Sequence, residues 1–182
     1  MKNKVFVVGS LNYDVCLVQQ RFPDEGETRI ADSVTYCSGG KGANQAVQAA
    51  KLGIETYMIG CIGHDSQGIF LKSEIEKYGV RTDFLRVIAG NSGISVAQSL
   101  GKGDVRASIV GGANLCISTK DIDRAFEVIN EGDFLVLQLE IPVQTVEYAI
   151  TRGHEKGCVI LINAAPALPI SSDALKKPII SL

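Results

Sequence analysis

Four runs of consecutive apolar residues predict strands that are buried on both faces. They are residues 4–9, 56–60, 134–137 and 158–162, and residues 178–182 look like the start of a fifth. Between the runs, apolar residues recur at helical spacing in residues 43–50, 66–78, 122–129 and 143–150. This alternation of strands and helices predicts an α/β fold with a mostly parallel, doubly wound sheet and helices on both faces.

Two other stretches alternate apolar and polar residues with the period of a strand that is buried on one face only. The first covers residues 30–37, and the second covers residues 94–109 with a glycine-containing turn at 101–104. The second stretch has the pattern of a β-hairpin. Because such strands do not fit inside a doubly covered sheet, we expect a small antiparallel β-flap that projects from one edge.

Composition and charge exclude several classes of function. Hydrophobic residues make up 46% and charged residues 21% of the chain, which excludes a disordered protein. The net charge is −2 and no run of Lys or Arg occurs, so no nucleic-acid partner is expected. The apolar run near the start, residues 5–8, is too short for a signal or membrane segment, and we expect a cytoplasmic protein.

The cysteines and histidines do not form a metal-binding pattern. The five cysteines are scattered without a Cys-x-x-Cys pair, and the chain has only two histidines. This pattern favours reduced thiols over a disulfide framework or a zinc site. His64 and Asp65 precede a predicted helix, where we expect a loop residue and a helix cap rather than a catalytic pair. Asn114 is expected to serve an ordinary turn unless the flap closes on it.

A glycine-rich segment at residues 39–44 opens the first predicted helix. Glycines let a ligand approach the backbone closely, and the helix start presents N–H groups and a positive dipole end. The segment is not a Walker A loop, because Gly42 follows Lys41 where Ser or Thr is required. It is not a dinucleotide fingerprint either, because Gln45 stands at the third glycine position. A helix entry without any ligand is the alternative interpretation.

Short polar side chains follow the predicted strands at their carboxyl ends, where open α/β sheets bind ligands. Asn12 and Asp14 follow the first strand, and Glu140 follows the strand at residues 134–137. Together with the glycine-rich segment they could line one crevice, although an Asx turn would also explain Asn12 and Asp14. Carboxylates and amides suit a neutral ligand with many hydroxyl groups.

Seven segments, in the same order along nearly the whole chain, resemble the ribokinase-like members of the PfkB carbohydrate kinase family. They are residues 9–14, 22–28, 39–46, 60–68, 112–114, 138–142 and 163–167. The resemblance implies a ribokinase-like fold with a β-flap lid at about residues 16–37 and 92–111. Residues 1–182 then form a single, incomplete domain that lacks its carboxyl-terminal part.

The resemblance also implies a function, which is the ATP- and magnesium-dependent phosphorylation of a primary hydroxyl of ribose or a similar sugar. The lid of such kinases covers the sugar and often joins two copies in a homodimer. The sugar contacts that the resemblance implies here come from Asn12, Tyr13, Asp14, Gly40, Lys41, Gly42, Ala43, Asn44 and Glu140.

Two parts of the family pattern are missing from this chain. The Asn-x-x-Glu segment linked to magnesium and phosphate would begin where Leu182 stands, and the Gly-Ala-Gly-Asp signature does not occur. That signature supplies the anion hole and the general-base aspartate. We therefore expect no catalytic residue, no metal ligand and no ATP-binding residue here, and an inactive chain when it is alone. The alternatives are a non-catalytic sugar-binding or dimerising remnant, and an unrelated α/β nucleotide binder that holds phosphate at Gly39 and Gly40.

Overall fold

The chain folds into a parallel six-stranded sheet, a smaller four-stranded sheet and flanking helices, which a computed structural model describes over residues 3–175 and 179–181. The strands are β1 (Val5–Val8), β2 (Asn12–Val18), β3 (Ser33–Gly39), β4 (Thr56–Gly63), β5 (Arg81–Ile88), β6 (Gly93–Ser99), β7 (Val105–Val110), β8 (Phe134–Gln138), β9 (Val159–Asn163) and β10 (Ile179–Ser181). The helices are α1 (Lys41–Lys51), α2 (Ser66–Lys77), α3 (Thr119–Phe126), α4 (Val143–Lys156) and α5 (Ser172–Leu175), and a 3-10 helix covers Gly112–Cys116.

The larger sheet has the strand order β10-β9-β8-β1-β4-β5, and all its neighbouring strands are parallel. Every residue of β1 and β4 is buried, which is why both read as continuous apolar runs in the sequence. The predicted strands β1, β4, β8 and β9 are confirmed. The pattern missed β5, because this strand lies at the edge of the sheet and alternates between exposed and covered residues.

Helices cover both faces of the larger sheet and enclose two separate cores. Phe6 faces a core that includes Ile150 of α4, whereas Val7 faces a core that includes Leu71 of α2. Successive side chains of a strand point to opposite faces, so β1 contributes to both cores. The predicted doubly wound α/β class is confirmed.

The helix ends follow the predicted capping residues. Asp65 caps α2 by accepting a hydrogen bond from the N–H of Gly68 at 2.7 Å. Ser118 and Asp121 form a capping box at α3, and Pro142 immediately precedes α4. The glycine that precedes α1, Gly40, has φ +90°, a backbone conformation that other residues rarely adopt.

The smaller sheet, called the lid sheet below, has the strand order β3-β2-β6-β7. The pairs β2–β3 and β6–β7 are antiparallel, which confirms the predicted hairpin, but β2 and β6 pair in parallel. The prediction of a fully antiparallel flap is therefore wrong. β2 follows β1 in the chain and β6 follows β5. Since β1 and β5 run in the same direction, β2 and β6 both start from the carboxyl ends of the strands of the larger sheet.

The last described strand, β10, pairs in parallel with β9 at the end of the larger sheet. A strand was predicted here within residues 178–182, of which Pro178 and Leu182 lie outside the described residues. Ile180 is 53% exposed, so this strand is not buried as expected. Across residues 3–175 and 179–181, no helix has the length and apolarity to cross a bilayer.

Candidate functional site

The carboxylate of Glu140 joins the end of β8 to the start of α1. Its Oε2 atom accepts hydrogen bonds from the hydroxyl of Ser10 at 2.5 Å and from the backbone N–H of Lys41 at 3.0 Å. Its Oε1 atom lies 3.3 Å from the ammonium of Lys41, and the Glu140 side chain is only 6% exposed. A carboxylate at the amino end of a helix is stabilised by the helix dipole. Glu140 therefore fixes the glycine-rich segment over the ends of β1 and β8.

The first turn of α1 has its backbone donors occupied from within the chain. Gly42 N–H donates to the hydroxyl of Ser10 at 3.4 Å, and Ala43 N–H donates to the Ser10 carbonyl at 2.9 Å. Gly42 packs so closely on this backbone that a Cβ would lie 2.6 Å from the Ser10 nitrogen. Because Glu140 already places a negative charge at this helix end, a phosphate would meet repulsion and few free donors. This geometry argues against a phosphate-binding loop.

Asp14 supplies an acceptor without a protein partner. It lies in β2, between Cys37 of β3 and Ser95 of β6. Its Oδ1 atom is buried and accepts no hydrogen bond within the described part of the chain. Burial, and next the charge of Glu140, raise the pKa of Asp14, while a hydrogen bond with Ser95 acts in the opposite direction. A ligand hydroxyl that donates to Oδ1 would satisfy this atom.

Gly39 has no side chain, and this leaves space for the Asp14 carboxylate. A Cβ on Gly39 would lie 2.0 Å from Oδ2 of Asp14, so any larger residue would displace the carboxylate. The register pairs Asn12 of β2 with Gly39 of β3, which brings the glycine-rich segment next to Asp14. The structure therefore brings together Asp14, the backbone at Gly39 and Gly40, and the Lys41–Glu140 pair.

Asn12 lies beneath this crevice and is only 1% exposed. Its Oδ1 atom accepts a hydrogen bond from Nδ2 of Asn114 at 2.7 Å. Gly42 and Ala43 are buried as well, with their backbone N–H groups on Ser10. These three predicted contact residues form the wall and floor of the crevice, and their direct contact with a sugar stays a prediction.

Tyr13 and Asn44 each have surroundings that do not include Asp14. Tyr13 points to the other face of the lid sheet, where its ring stacks on Tyr36 at 5.8 Å and meets the edge of Phe70 at 5.4 Å. Asn44 is exposed and lines a cleft of about 610 Å³ between α1, α2 and β3, which neither Asp14 nor Glu140 lines. We place the candidate site at Asp14 rather than in this cleft, because Asp14 has an unpartnered buried acceptor.

A magnesium ion and a nucleotide phosphate would each need their own set of protein groups. Within residues 3–175 and 179–181, no group of three or more His, Cys, Asp or Glu side chains is placed to hold a metal ion. The glycine-rich helix start is occupied by the Glu140 carboxylate, which does not fit a phosphate.

Three residues of the site were missed by the sequence analysis. Ser10 bridges Glu140 and the start of α1, Ser95 neighbours Asp14, and Asn114 holds Asn12. Ser10 and Asn114 belong to segments that carried the family resemblance, but neither segment shows which residue it contacts. Ser95 occupies a one-sided strand, and only the register of β2 with β6 places it beside Asp14.

The chain belongs to the pfkB family of carbohydrate kinases, and its fold and candidate site agree with that class of protein. The model of that family matches residues 2–179. The chain is 34% identical over 175 residues to the ribokinase of Bacillus subtilis, covering 96% of this chain and 59% of that protein. It is 36% identical over 165 residues to the deoxyribokinase of Salmonella typhi, covering 90% of this chain and 54% of that protein.

The same similarity appears among solved structures. The ribokinase of Arabidopsis thaliana, complexed with ribose and ATP, superimposes with a TM-score of 0.85 at 29% identity. That match covers 100% of this chain and 60% of the Arabidopsis chain. The chain therefore spans a little over half the length of the relatives that it matches, and the ribokinase-like fold expected from the sequence is confirmed over that part.

Proposed function

We propose that this chain is the sugar-binding part of a ribokinase-type kinase that phosphorylates a primary hydroxyl of ribose or a similar sugar. The observation that carries the proposal is the buried, unpartnered Oδ1 atom of Asp14, next to the Lys41–Glu140 pair. A sugar hydroxyl is a neutral donor, so it satisfies the carboxylate without adding charge beside Glu140. The names of the relatives, a ribokinase and a deoxyribokinase, favour a pentose.

The site residues have distinct roles in this proposal. Asp14 accepts from sugar hydroxyls, and the ammonium of Lys41, on a side chain that is 36% exposed, donates to a sugar oxygen. Glu140 holds Lys41 in place, and its carboxylate accepts a further hydrogen bond from a sugar hydroxyl. Asn44 offers an exposed amide from the first turn of α1. Asn12, Gly42 and Ala43 shape the crevice, and Tyr13 anchors the lid sheet on α2.

These residues are proposed to bind and orient the sugar without completing its phosphorylation. ATP would supply the phosphoryl group, and the sugar hydroxyl must lose its proton to a general base as it attacks phosphorus. The family resemblance assigns that base to a Gly-Ala-Gly-Asp signature, which the 182 residues do not contain. Asp14 is engaged with sugar hydroxyls in this proposal, so transfer by these residues alone is negligible.

A homodimer joined through the lid sheets is part of the proposal, and a dimerising, non-catalytic form of the chain is its alternative. The lid sheet exposes large apolar side chains, among them Tyr36 at 56%, Ile109 at 50% and Val110 at 68%. By the strand register Tyr36 and Val110 lie on one face of the lid sheet and Ile109 lies on the other, and exposed apolar side chains of this kind favour burial against a second protein surface. A cytoplasmic location is proposed as well, because the five cysteines are free thiols in the structure.

Titration calorimetry of the purified chain with ribose, with 2-deoxyribose and with Mg–ATP tests the proposal. We expect heat from a pentose, and none from Mg–ATP. Asp14→Asn should abolish the sugar heat, whereas Asp104→Asn, an exposed carboxylate in the turn between β6 and β7, should leave it unchanged. Unchanged affinity in Asp14→Asn would refute the site. Binding of Mg–ATP without sugar would favour the nucleotide-binding alternative.

A further inference from the structure

Of the four segments that connect the lid sheet to the rest of the fold, three meet around one side chain, that of Asn114. The chain enters the lid between β1 and β2 and again between β5 and β6, and it returns after β7 through the 3-10 helix Gly112–Cys116. Asn114 lies in this return segment and is only 1% exposed. A buried amide at a junction of three segments needs partners for all its polar atoms.

Asn114 finds those partners in the first connection. Its Oδ1 atom accepts from the backbone N–H of Leu11 at 2.9 Å. Its Nδ2 atom donates to the Leu11 carbonyl at 3.1 Å and to Oδ1 of Asn12 at 2.7 Å. Both amide protons and the amide oxygen are therefore used, and the return segment is tied to the point where β2 begins.

The second connection packs against the same pair of amides. A Cβ on Gly93, the first residue of β6, would lie 2.2 Å from Nδ2 of Asn114 and 2.4 Å from Oδ1 of Asn12. Gly112 has φ +51°, and a Cβ there would lie 2.6 Å from the Ser92 carbonyl. The three connections are therefore in close contact, without space for a larger residue at either glycine.

We propose that Asn114 is a positioning residue for the sugar site, because it fixes the direction in which β2 leaves the larger sheet. Asn12 and Asp14 lie on the same face of β2, two residues apart. Glu140, in contrast, is held by the larger sheet and by α1. A change in angle at Asn12 therefore moves Asp14 relative to Glu140, and the sugar must contact both. The expected effect of Asn114 on sugar binding rests on the proposed function. Its expected effect on the lid sheet does not.

The variant Asn114→Asp separates this role from a general loss of stability. Aspartate has nearly the same shape, but it has no amide protons for Leu11 or Asn12 and places a carboxylate oxygen against Asn12. The matched control is Thr145→Val, since Thr145 is buried and its hydroxyl donates at 3.2 Å to the carbonyl of Ile117, the residue after the 3-10 helix, rather than to a strand of the lid sheet. Both variants lose buried hydrogen bonds, but only the first loses them at the lid.

Hydrogen exchange and ribose titration on the whole chain give the two readouts. In Asn114→Asp we expect amide exchange in β2 and β6 to accelerate at least about tenfold relative to β1, β4 and β8, and the ribose Kd to rise about tenfold. Thr145→Val should leave the ribose Kd unchanged. If Asn114→Asp does not fold, Asn114→Ser replaces it, because serine keeps an acceptor and is the milder change. The same pattern of exchange and ribose Kd is expected.

Two results would overturn the proposal. One is exchange that accelerates equally in the lid sheet and in the larger sheet, since this would give Asn114 only a structural role. The other is a variant with a loosened lid sheet that binds ribose as tightly as the original chain. If the original chain takes up no ribose, the proposed function fails, and the exchange pattern alone decides whether Asn114 fixes the lid.

Discussion

Lys41 and Glu140 are 99 positions apart in the chain and are joined twice. The backbone N–H of Lys41 donates to Oε2 of Glu140 at 3.0 Å, and the Lys41 ammonium lies 3.3 Å from Oε1. The double contact ties the start of α1 to the residue that follows β8. It also places a negative charge where a phosphate-binding loop would need an empty site. The glycine-rich segment therefore serves a neutral ligand in our proposal.

Glu140→Gln should weaken both the fold and the site. The substitution removes the charge that the helix dipole and Lys41 stabilise, and it directs an amide group at donors that need an acceptor. We expect the free energy of unfolding to fall by about 1–3 kcal/mol, the range for a hydrogen bond to a buried charged group. Urea unfolding followed by circular dichroism measures the change.

Asp24→Asn is the matched control for Glu140→Gln. It makes the same change from acid to amide in the exposed pair Arg21–Asp24, whose nitrogen and oxygen are 3.4 Å apart. Exposed ion pairs contribute little to stability, so we expect no measurable shift. Equal losses in the two variants would contradict the role assigned to Glu140.

Much of the fold could be predicted from the sequence, because the physical signal for it is local. Each of β1, β4, β8 and β9 is a short apolar run, and burial on both faces removes the need for polar positions. The parallel pairing of β2 with β6 could not be predicted in this way. It depends on the direction in which β1 and β5 run in the larger sheet, which no pattern within the lid segments records.

The candidate site could be predicted only in part. Asp14 and Glu140 were found because they follow apolar runs, and strands of a parallel sheet end at one edge. The partners of these residues were not found, since the contact of Ser10 with Glu140 spans 130 positions. Tyr13 is next to Asp14 in the sequence, and successive side chains of a strand point to opposite faces. Its ring therefore lies on the other face of β2 from Asp14.

Asp14→Asn should stabilise the chain while it removes sugar binding. The pKa of Asp14 is raised in the folded chain, so the stability it contributes is fully present below its unfolded pKa and is lost as the pH rises through the folded pKa. The neutral amide avoids this loss. We expect a gain in stability at neutral pH, which disappears in acid. Urea unfolding at both pH values measures it, and lower stability at neutral pH would contradict the assignment.

Gly39→Ala should displace the Asp14 carboxylate without changing any charge. The added methyl group would lie 2.0 Å from Oδ2 of Asp14, so the side chain or the strand must move. We expect the ribose Kd to rise about tenfold or more, as measured by calorimetry. Gly53→Ala is the control, because Gly53 has φ +80° and open surroundings. That substitution costs about 1 kcal/mol of stability through its backbone conformation, and it should leave the Kd unchanged.

Asp65→Asn should show the pH dependence opposite to that of Asp14→Asn. The Asp65 carboxylate accepts from the N–H and the hydroxyl of Ser92, each at 2.7 Å, and from Gly68 N–H at 2.7 Å. Burial alone would raise the pKa of Asp65, but these hydrogen bonds outweigh it and lower the pKa. The stability that Asp65 contributes is therefore present above its unfolded pKa and is lost as the pH falls through the folded pKa.

The variant should lose about 1 kcal/mol of stability at neutral pH, since an amide keeps the helix cap but directs N–H groups at Ser92. In acid, below both pKa values, the difference from the original chain should shrink towards zero. Urea unfolding across that range tests this, with Asp104→Asn as the exposed control. A difference that stays constant with pH would mean that the Asp65 charge does not hold Ser92 and the start of β6 in place.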